Sequence, residues 1–446
     1  MNEPLSELKE ESTAIPPETP SPHFFQRNCR KMSEGSLRLM IINLMLCGII
    51  GNFFWYPVVF RTLGLIPGFF MIAVCVAFNY MLCYLIFLAS DESNCNSYMG
   101  LIEIYLSTKW RNLARFTYLL DYFAAFVIGL LLCWNITAYL MYYWGVLDDS
   151  VVEDMDRLTF KSYDPRIVVL RFAVVGIAYF VTMPWYLKKK MSSFKPILVG
   201  FLIVMGLNIV YLIVDLGEFR SYYQSQNQWE ITYVKPITLD SFRYIFIFLC
   251  SYYIQSNLLT MKIDTFNATF TRMTKTIKIA HVFFLFFAII FGCYGYLCLG
   301  DRFTSDLFLL RKSFPGKHHE SIYRIILVLV ALFYVHYMSY FIISFRNFFY
   351  SNFKYKPSFS VISIVPLTIA AVIAFSYPKI VNFLGYSAIM VCLMNGFLFP
   401  IMIAKHTAAI RKKHWIVHRL LDVICVVLVC IAITSLIALI RNDLGL

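Results

Sequence analysis

Apolar residues in this 446-residue chain gather into eleven runs, at residues 37–60, 65–89, 116–144, 167–187, 196–214, 242–259, 277–299, 323–345, 358–377, 380–404 and 420–440. A helix needs about 20 residues to cross the ~30 Å hydrocarbon core of a bilayer. The pattern therefore predicts an all-α polytopic membrane protein with eleven transmembrane helices, the ninth and tenth parted only by a turn at Pro378. Two runs break their own pattern. The first carries Gly48, Gly51 and Asn52, with Pro57 a little further on, where a spanning helix normally keeps large apolar residues. Backbone freed in hydrocarbon must find protein, water or ligand, so an opened helix at 48–52, including Ile49 and Ile50, is a candidate substrate site. A Gly- and Pro-rich packing helix with a kink fits the same residues. The sixth run carries the second interruption, Cys250-Ser251-Tyr252-Tyr253-Ile254-Gln255-Ser256-Asn257. Its polar members either line a site or bond neighbouring helices together, an interaction that contributes about 0.6–2 kcal/mol each.

Composition agrees with this class. The chain is 59% hydrophobic and only 15% charged, with mean hydropathy +0.67, which excludes a soluble domain. In a soluble protein a net charge of +13 would suggest a nucleic-acid partner; here the question is which side of the bilayer the basic residues occupy. Connections after even-numbered spans hold nineteen Lys and Arg, against fourteen in the others, and the 148–157 connection is acidic. Residues 1–36 and the even connections are thus expected in the cytosol, with the C-terminus opposite. The tail, rich in Pro, Ser and Glu, reads as disordered and carries no cleavable signal; residues 37–446 form the transmembrane domain. The 12 Cys lie mostly inside apolar runs, at spacings that fit neither a zinc site nor a disulfide framework. No metal or cofactor is expected. His318-His319-Glu320 is too sparse a set for one. Asn135-Ile136-Thr137 falls inside a span, and Asn267-Ala268-Thr269 on the cytosolic side, so neither is a glycosylation site.

The order of smaller motifs resembles the amino acid/auxin permease family, within the amino acid–polyamine–organocation superfamily. Pro57, Phe60 and Gly64 match Pro-x-Ala-Phe-x-x-x-Gly, with Val59 in place of Ala. Ser97-Tyr98 opens an amphipathic stretch after the second span. Pro184 precedes a Lys run and Ser192-Ser193-Phe194. Phe246 to Cys250 matches Phe-Ala-Phe-x-Cys, and Arg272-Met273 follows in the next loop. Gly295-Tyr296-Leu297-Cys298-Leu299-Gly300-Asp301, then Ser305-Asp306, is the most specific match. Arg346, Pro378, Gly385 and Pro400 follow in order. The resemblance spans nearly all of 37–440. It implies two inverted five-helix repeats plus one helix, the leucine-transporter-like fold, with substrate held between unwound helices 1 and 6. The departures bear on coupling. The family's helix-1 Gly-x-Gly falls at Ile50 and Asn52, its helix-6 His at Ser251, and its helix-8 prolines at Ser339 and Ser344. The Asn and Thr that hold sodium in some members fall at Leu46 and Tyr337. Protons or exchange are therefore expected ahead of sodium.

The physical logic needs no family. An amino acid is a zwitterion. Its carboxylate suits a half-helix N-terminus and its ammonium the carbonyls of a half-helix C-terminus. The candidate substrate-binding residues are Gly48, Ile49, Ile50, Gly51, Asn52, Asn135, Cys250, Ser251, Tyr252, Gln255 and Asn257. Asp121 and His336 are coupling candidates, because ionisable groups at membrane depth are costly. Asp121 lies near the expected cytosolic end of its span and could reach water there; His336 could equally be a core histidine. Arg171, near an outer end, is expected to snorkel. The leading function is a secondary transporter of amino acids, symporting protons or exchanging. It would sit in the plasma membrane or a vacuolar or lysosomal membrane. Two other classes remain. One is a membrane-embedded acyltransferase using His336 as base; the other is a sensor with the transporter fold that signals without flux.

Overall fold

A computed structural model describes residues 36–49, 56–154, 159–187, 195–225, 229–263, 265–302, 319–412 and 415–444. Helices occupy the apolar runs. They are α1 (Leu37–Ile49), α2 (Tyr56–Leu63), α3 (Leu65–Ser93), α4 (Tyr98–Tyr105), α5 (Thr108–Tyr143), α6 (Pro165–Tyr186), α7 (Lys195–Ser225), α8 (Leu239–Cys250) and α9 (Gln255–Ile263), followed by α10 (Phe270–Leu299), α11 (His319–Asn352), α12 (Phe359–Ser376), α13 (Ile380–His406) and α14 (Trp415–Leu444). Among the described residues, seven helices are by themselves long and apolar enough to cross a membrane: α3, α5, α6, α10, α12, α13 and α14. The sixth apolar run is two shorter helices, α8 and α9, with residues 251–254 outside both.

α5 is the central post. It packs against α4, α6, α11, α12 and α13, and most of its apolar residues are buried. α3 packs between α2, α10 and α13, and α14 lies along α8. The outer helices turn apolar residues outward at helical spacing, as with Val169, Phe172 and Phe180 of α6 and Val423, Val426, Ile433 and Ile437 of α14. Apolar bands of this kind face lipid.

Two helices contain π-helical stretches, Ile289–Tyr294 in α10 and Ala388–Leu398 in α13. The first admits α2. A Cβ on Gly292 would stand 2.6 Å from the Phe60 ring, so only glycine lets Tyr56 and Phe60 seat there.

One end of the bundle is closed by a clamp made of family-like motifs. Residues 232–235 run beside the α2–α3 junction: Leu65 N donates to the Thr232 carbonyl at 3.1 Å, Ile66 N to Tyr233 at 3.0 Å, and Lys235 N to Leu63 at 3.0 Å. Gly64 has φ +87°, and a Cβ there would meet the Tyr233 carbonyl at 2.8 Å. Just past α10, Asp301 N donates to the Glu230 carbonyl at 2.9 Å. The Asp301 carboxylate accepts from Thr232 Oγ1 and from the Tyr296 hydroxyl at 2.6 Å, and pairs with Lys235 Nζ at 2.6 Å. Burial alone would raise the Asp301 carboxyl; the Lys235 ammonium and the Thr232 and Tyr296 hydrogen bonds outweigh it and hold the group below the ordinary carboxylate value.

One expectation is corrected. Arg171 does not snorkel: it is 5% exposed, its guanidinium 5.4 Å from the Phe375 ring and 6.0 Å from Trp134. The reason is the connection that contains the acidic 148–157 stretch. It forms a short antiparallel hairpin, β1 (Val152–Asp154) and β2 (Thr159–Phe160), with Val152 opposite Phe160. Val151 and Val152 pack with Trp134 and Ile167, and the Ser162 carbonyl accepts from Arg171 at 3.4 Å. α5 begins at Thr108, ahead of the apolar run at 116, and Asp121 lies thirteen residues past its start. A second histidine, His281 of α10, is 3% exposed.

Candidate substrate site at the break in the sixth span

The break is built by local chemistry. α8 starts in a capping box, with Thr238 N donating to Ser241 Oγ at 3.1 Å. It ends at Cys250, where Ser251 Oγ returns to the Ile247 carbonyl at 3.0 Å and Ser251 N to Phe248 at 3.1 Å. Side-chain bonds to the preceding turn compete with the helical ladder and favour its end. α9 restarts at Gln255.

Opening a helix frees backbone groups that hydrocarbon cannot satisfy. Two buried amides meet this need. Asn79 of α3, fully buried, donates from Nδ2 to the Leu249 carbonyl at 3.2 Å and to Cys75 at 3.0 Å. Its Oδ1 accepts from Gln255 Nε2 at 2.9 Å, and Gln255 Oε1 accepts from Ile254 N at 3.0 Å. The pair acts as a staple across the break. Gln255, a sequence-predicted binding residue, has both ends of its amide engaged in this staple. Asn79 was missed by sequence reasoning. The available signal was a lone amide inside the second run.

Opposite the staple lies a cavity of about 150 Å³. One water needs only ~10–15 Å³ on that measure, so the cavity has room for a small molecule. Its wall is α5 (Asp121, Tyr122, Ile128), the break (Cys250, Tyr253, Asn257), Phe341 of α11, and the π-helical stretch of α13 (Ala388, Val391, Cys392) with Ser387 before it. The Tyr253 hydroxyl donates to Asp121 Oδ2 at 3.0 Å, tying α5 to the break. Below it, Asn395 of α13 accepts from Tyr98 of α4 and Thr117 of α5, both at 2.6 Å. Ser97 caps α4, accepting from Gly100 N at 3.3 Å, as the Ser-Tyr motif suggested.

The structure thus brings together three of the named candidates, Asp121, Cys250 and Asn257. Ser251 and Tyr252 sit on the break but face away from the cavity, toward Tyr56, Val59 and Cys75. Tyr252 stacks between Tyr56 (5.9 Å) and Phe284 (5.7 Å). Gly48 meets the same stack, since a Cβ there would stand 2.4 Å from Phe284 Cζ. Asn135 donates to its own helix at Leu131, 2.7 Å away, and does not line the cavity. Ile49 closes α1, while Ile50, Gly51 and Asn52 lie outside the described residues. His336 lies on α11 with its side chain outside them too. Tyr253, Phe341, Ser387 and Cys392 were not among the candidate site residues, because nothing in an apolar run says which face meets a cavity. His281 is no part of this wall. Its Nδ1 bonds the Ile277 carbonyl at 2.8 Å, and its ring packs on Tyr80 and Phe284.

A family model described as transmembrane amino acid transporter protein matches residues 34–441. No curated protein sequence matches the chain. Solved structures do. MhsT, crystallised in complex with L-phenylalanine, is 12% identical with a TM-score of 0.55; the match covers 91% of this chain and all of that one. Mhp1 in an inward-facing conformation is 12% identical with a TM-score of 0.46, covering 91% and 89%. A Na+-coupled sialic acid symporter is 13% identical with a TM-score of 0.48, covering 93% and 90%. The likeness to MhsT shows a shared fold.

Proposed function

The chain belongs to the transmembrane amino acid transporter family, and from that premise we propose that it moves amino acids by alternating access, with the substrate held at the break between α8 and α9. The observation that carries this reading is the break itself, stapled on one side by Asn79 and Gln255 and open on the other to a cavity. Interrupted helices beside a cavity present N–H groups at one half-helix end and carbonyls at the other. They match the two charges of an amino acid backbone. In this reading the chain has eleven transmembrane helices, arranged as two inverted five-helix repeats plus α14, and the 37–60 run supplies the partner break at 48–52. The cytosolic face carries residues 1–36 and the even connections. Transport is coupled to protons or runs as exchange or facilitated flux, since Leu46 and Tyr337 stand where sodium-holding residues would be.

The test is uptake of labelled amino acids by proteoliposomes holding the purified full-length chain, with and without pH or sodium gradients. Saturable, stereoselective flux is expected without sodium. Binding without flux would favour a sensor, and neither binding nor flux across a broad panel would overturn the reading.

A further inference from the structure

We propose that Cys250 and Cys392 form a reactive dithiol in the wall of this cavity, where a small disulfide entering the cavity links them and stops transport; the effect on transport rests on the transporter reading above. Cys250 closes α8 at the break, and Cys392 stands in the π-helical stretch of α13. They are the two cysteines among the described residues that line the cavity, and both are free thiols. Cys250 Sγ lies 3.9 Å from the Ala388 carbonyl, four residues before Cys392. The two thiols lie within hydrogen-bonding reach of each other. Cys is a small residue that cores use freely, and Cys75, Cys83 and Cys133 are buried in that way. The pair differs in its setting. Its two sulfurs come from helices far apart along the chain and meet at a surface that a solute can reach.

Cys392 is partly exposed and Cys250 is buried, so Cys392 meets the reagent first. Its sulfur attacks one sulfur of the small disulfide. A mixed disulfide forms, and the other half of the reagent leaves as a thiol. The Cys250 sulfur then attacks the Cys392 sulfur, the Cys250–Cys392 bond forms, and the second half of the reagent leaves as a thiol. Each cysteine's proton ends on a departing thiol. The two cysteines are oxidised, and the reagent is reduced to two thiols. Because the sulfurs are neighbours, the second step is intramolecular and outruns capture of a second reagent molecule. A disulfide holds its two Cα atoms within roughly 4.4–6.8 Å of each other. The link therefore fastens the end of α8 to α13 and takes up part of the cavity. Alternating access needs the elements around this site to shift against one another, and the link arrests that shift.

The experiment treats the full-length chain in the same proteoliposomes with dithiodipyridine and maps its cysteines by peptide mass spectrometry. Cys250 and Cys392 should appear joined, two hydrogens lighter than the reduced pair and carrying no pyridyl group. Cys430, which is exposed, is the reagent control and should carry one. In Cys250→Ser the bond cannot close, and Cys392 should keep its pyridyl group. Uptake of labelled amino acids by the wild type should fall at least tenfold and return on treatment with dithiothreitol. Cys430→Ser should lose flux to the same extent, which removes the control cysteine as the cause. Cys250 and Cys392 left as free thiols while Cys430 reacts, or each carrying its own pyridyl group, overturns the dithiol. A mapped Cys250–Cys392 bond with unchanged flux overturns its effect on transport. No flux with any amino acid before treatment overturns the transporter reading instead, and the mapped bond alone then decides the dithiol.

Discussion

Asn79 decides whether the break can exist. Its amide meets the Leu249 carbonyl and the Gln255 side chain inside the bundle. Asn79→Ala leaves both without a partner, and a buried orphan costs about 1–3 kcal/mol. The expected outcome is a lowered Tm in detergent and weaker substrate binding; an unchanged Tm would remove the staple from the account. Gly48 acts at the same scale by absence. Phe284, which any Cβ at Gly48 would strike, is already wedged between Tyr252 and His281. Gly48→Val should therefore displace the Tyr252 stack and lower flux at least tenfold, with expression measured alongside to separate folding from transport. Of the residues at this scale, the sequence exposed those whose chemistry is odd for hydrocarbon, such as Asp121, Gln255 and Gly48. It hid Phe341 and Tyr122, which are ordinary in type and special only by position.

Between helices, the loop clamp turns motif into mechanics. Gly295-Tyr296 and Gly300-Asp301 resemble a family signature, yet they touch no part of the cavity. They pin residues 230–235 against the start of α3. Gly300 has φ +65° and no room for a Cβ, which would stand 2.5 Å from the Glu230 carbonyl. Gly300→Ala should then cost about 1–3 kcal/mol of local strain, visible as faster hydrogen exchange at 229–235. The clamp's pH response follows from Asp301. Its carboxyl is held below the ordinary value in the folded chain, so its stabilisation is present above the unfolded pKa of roughly 4 and fades as pH falls through the lower folded value. The protection factor at 229–235, exchange corrected for its intrinsic pH dependence, should be the same at pH 7 and pH 5 and fall only below about pH 4. A fall already at pH 5 would contradict the carboxylate's assigned role. Sequence alone located these motifs but not their use, because both ends of the clamp lie far apart along the chain.

Across the whole molecule, α5 carries the most consequence. It is the post on which α11, α12 and α13 pack, and it also presents Asp121 to the break. A shift of α13 or of α4, joined to α5 through Asn395, Thr117 and Tyr98, would change the cavity's shape. Tyr98→Phe removes one of the two bonds that close this end and should speed substrate release from it, read as faster exchange across proteoliposomes with a raised KM. The sequence by itself determined the class of protein and the place where the sixth span is interrupted. Hydropathy is a sum over local residues, and a broken hydrogen-bond ladder is a local event. Only the tertiary structure decided that this interruption faces a cavity, and which amides are staples. Those depend on which faces of separate helices meet, and a helix of nearly uniform hydrophobicity, such as α3 or α5, carries no periodic signal to say so.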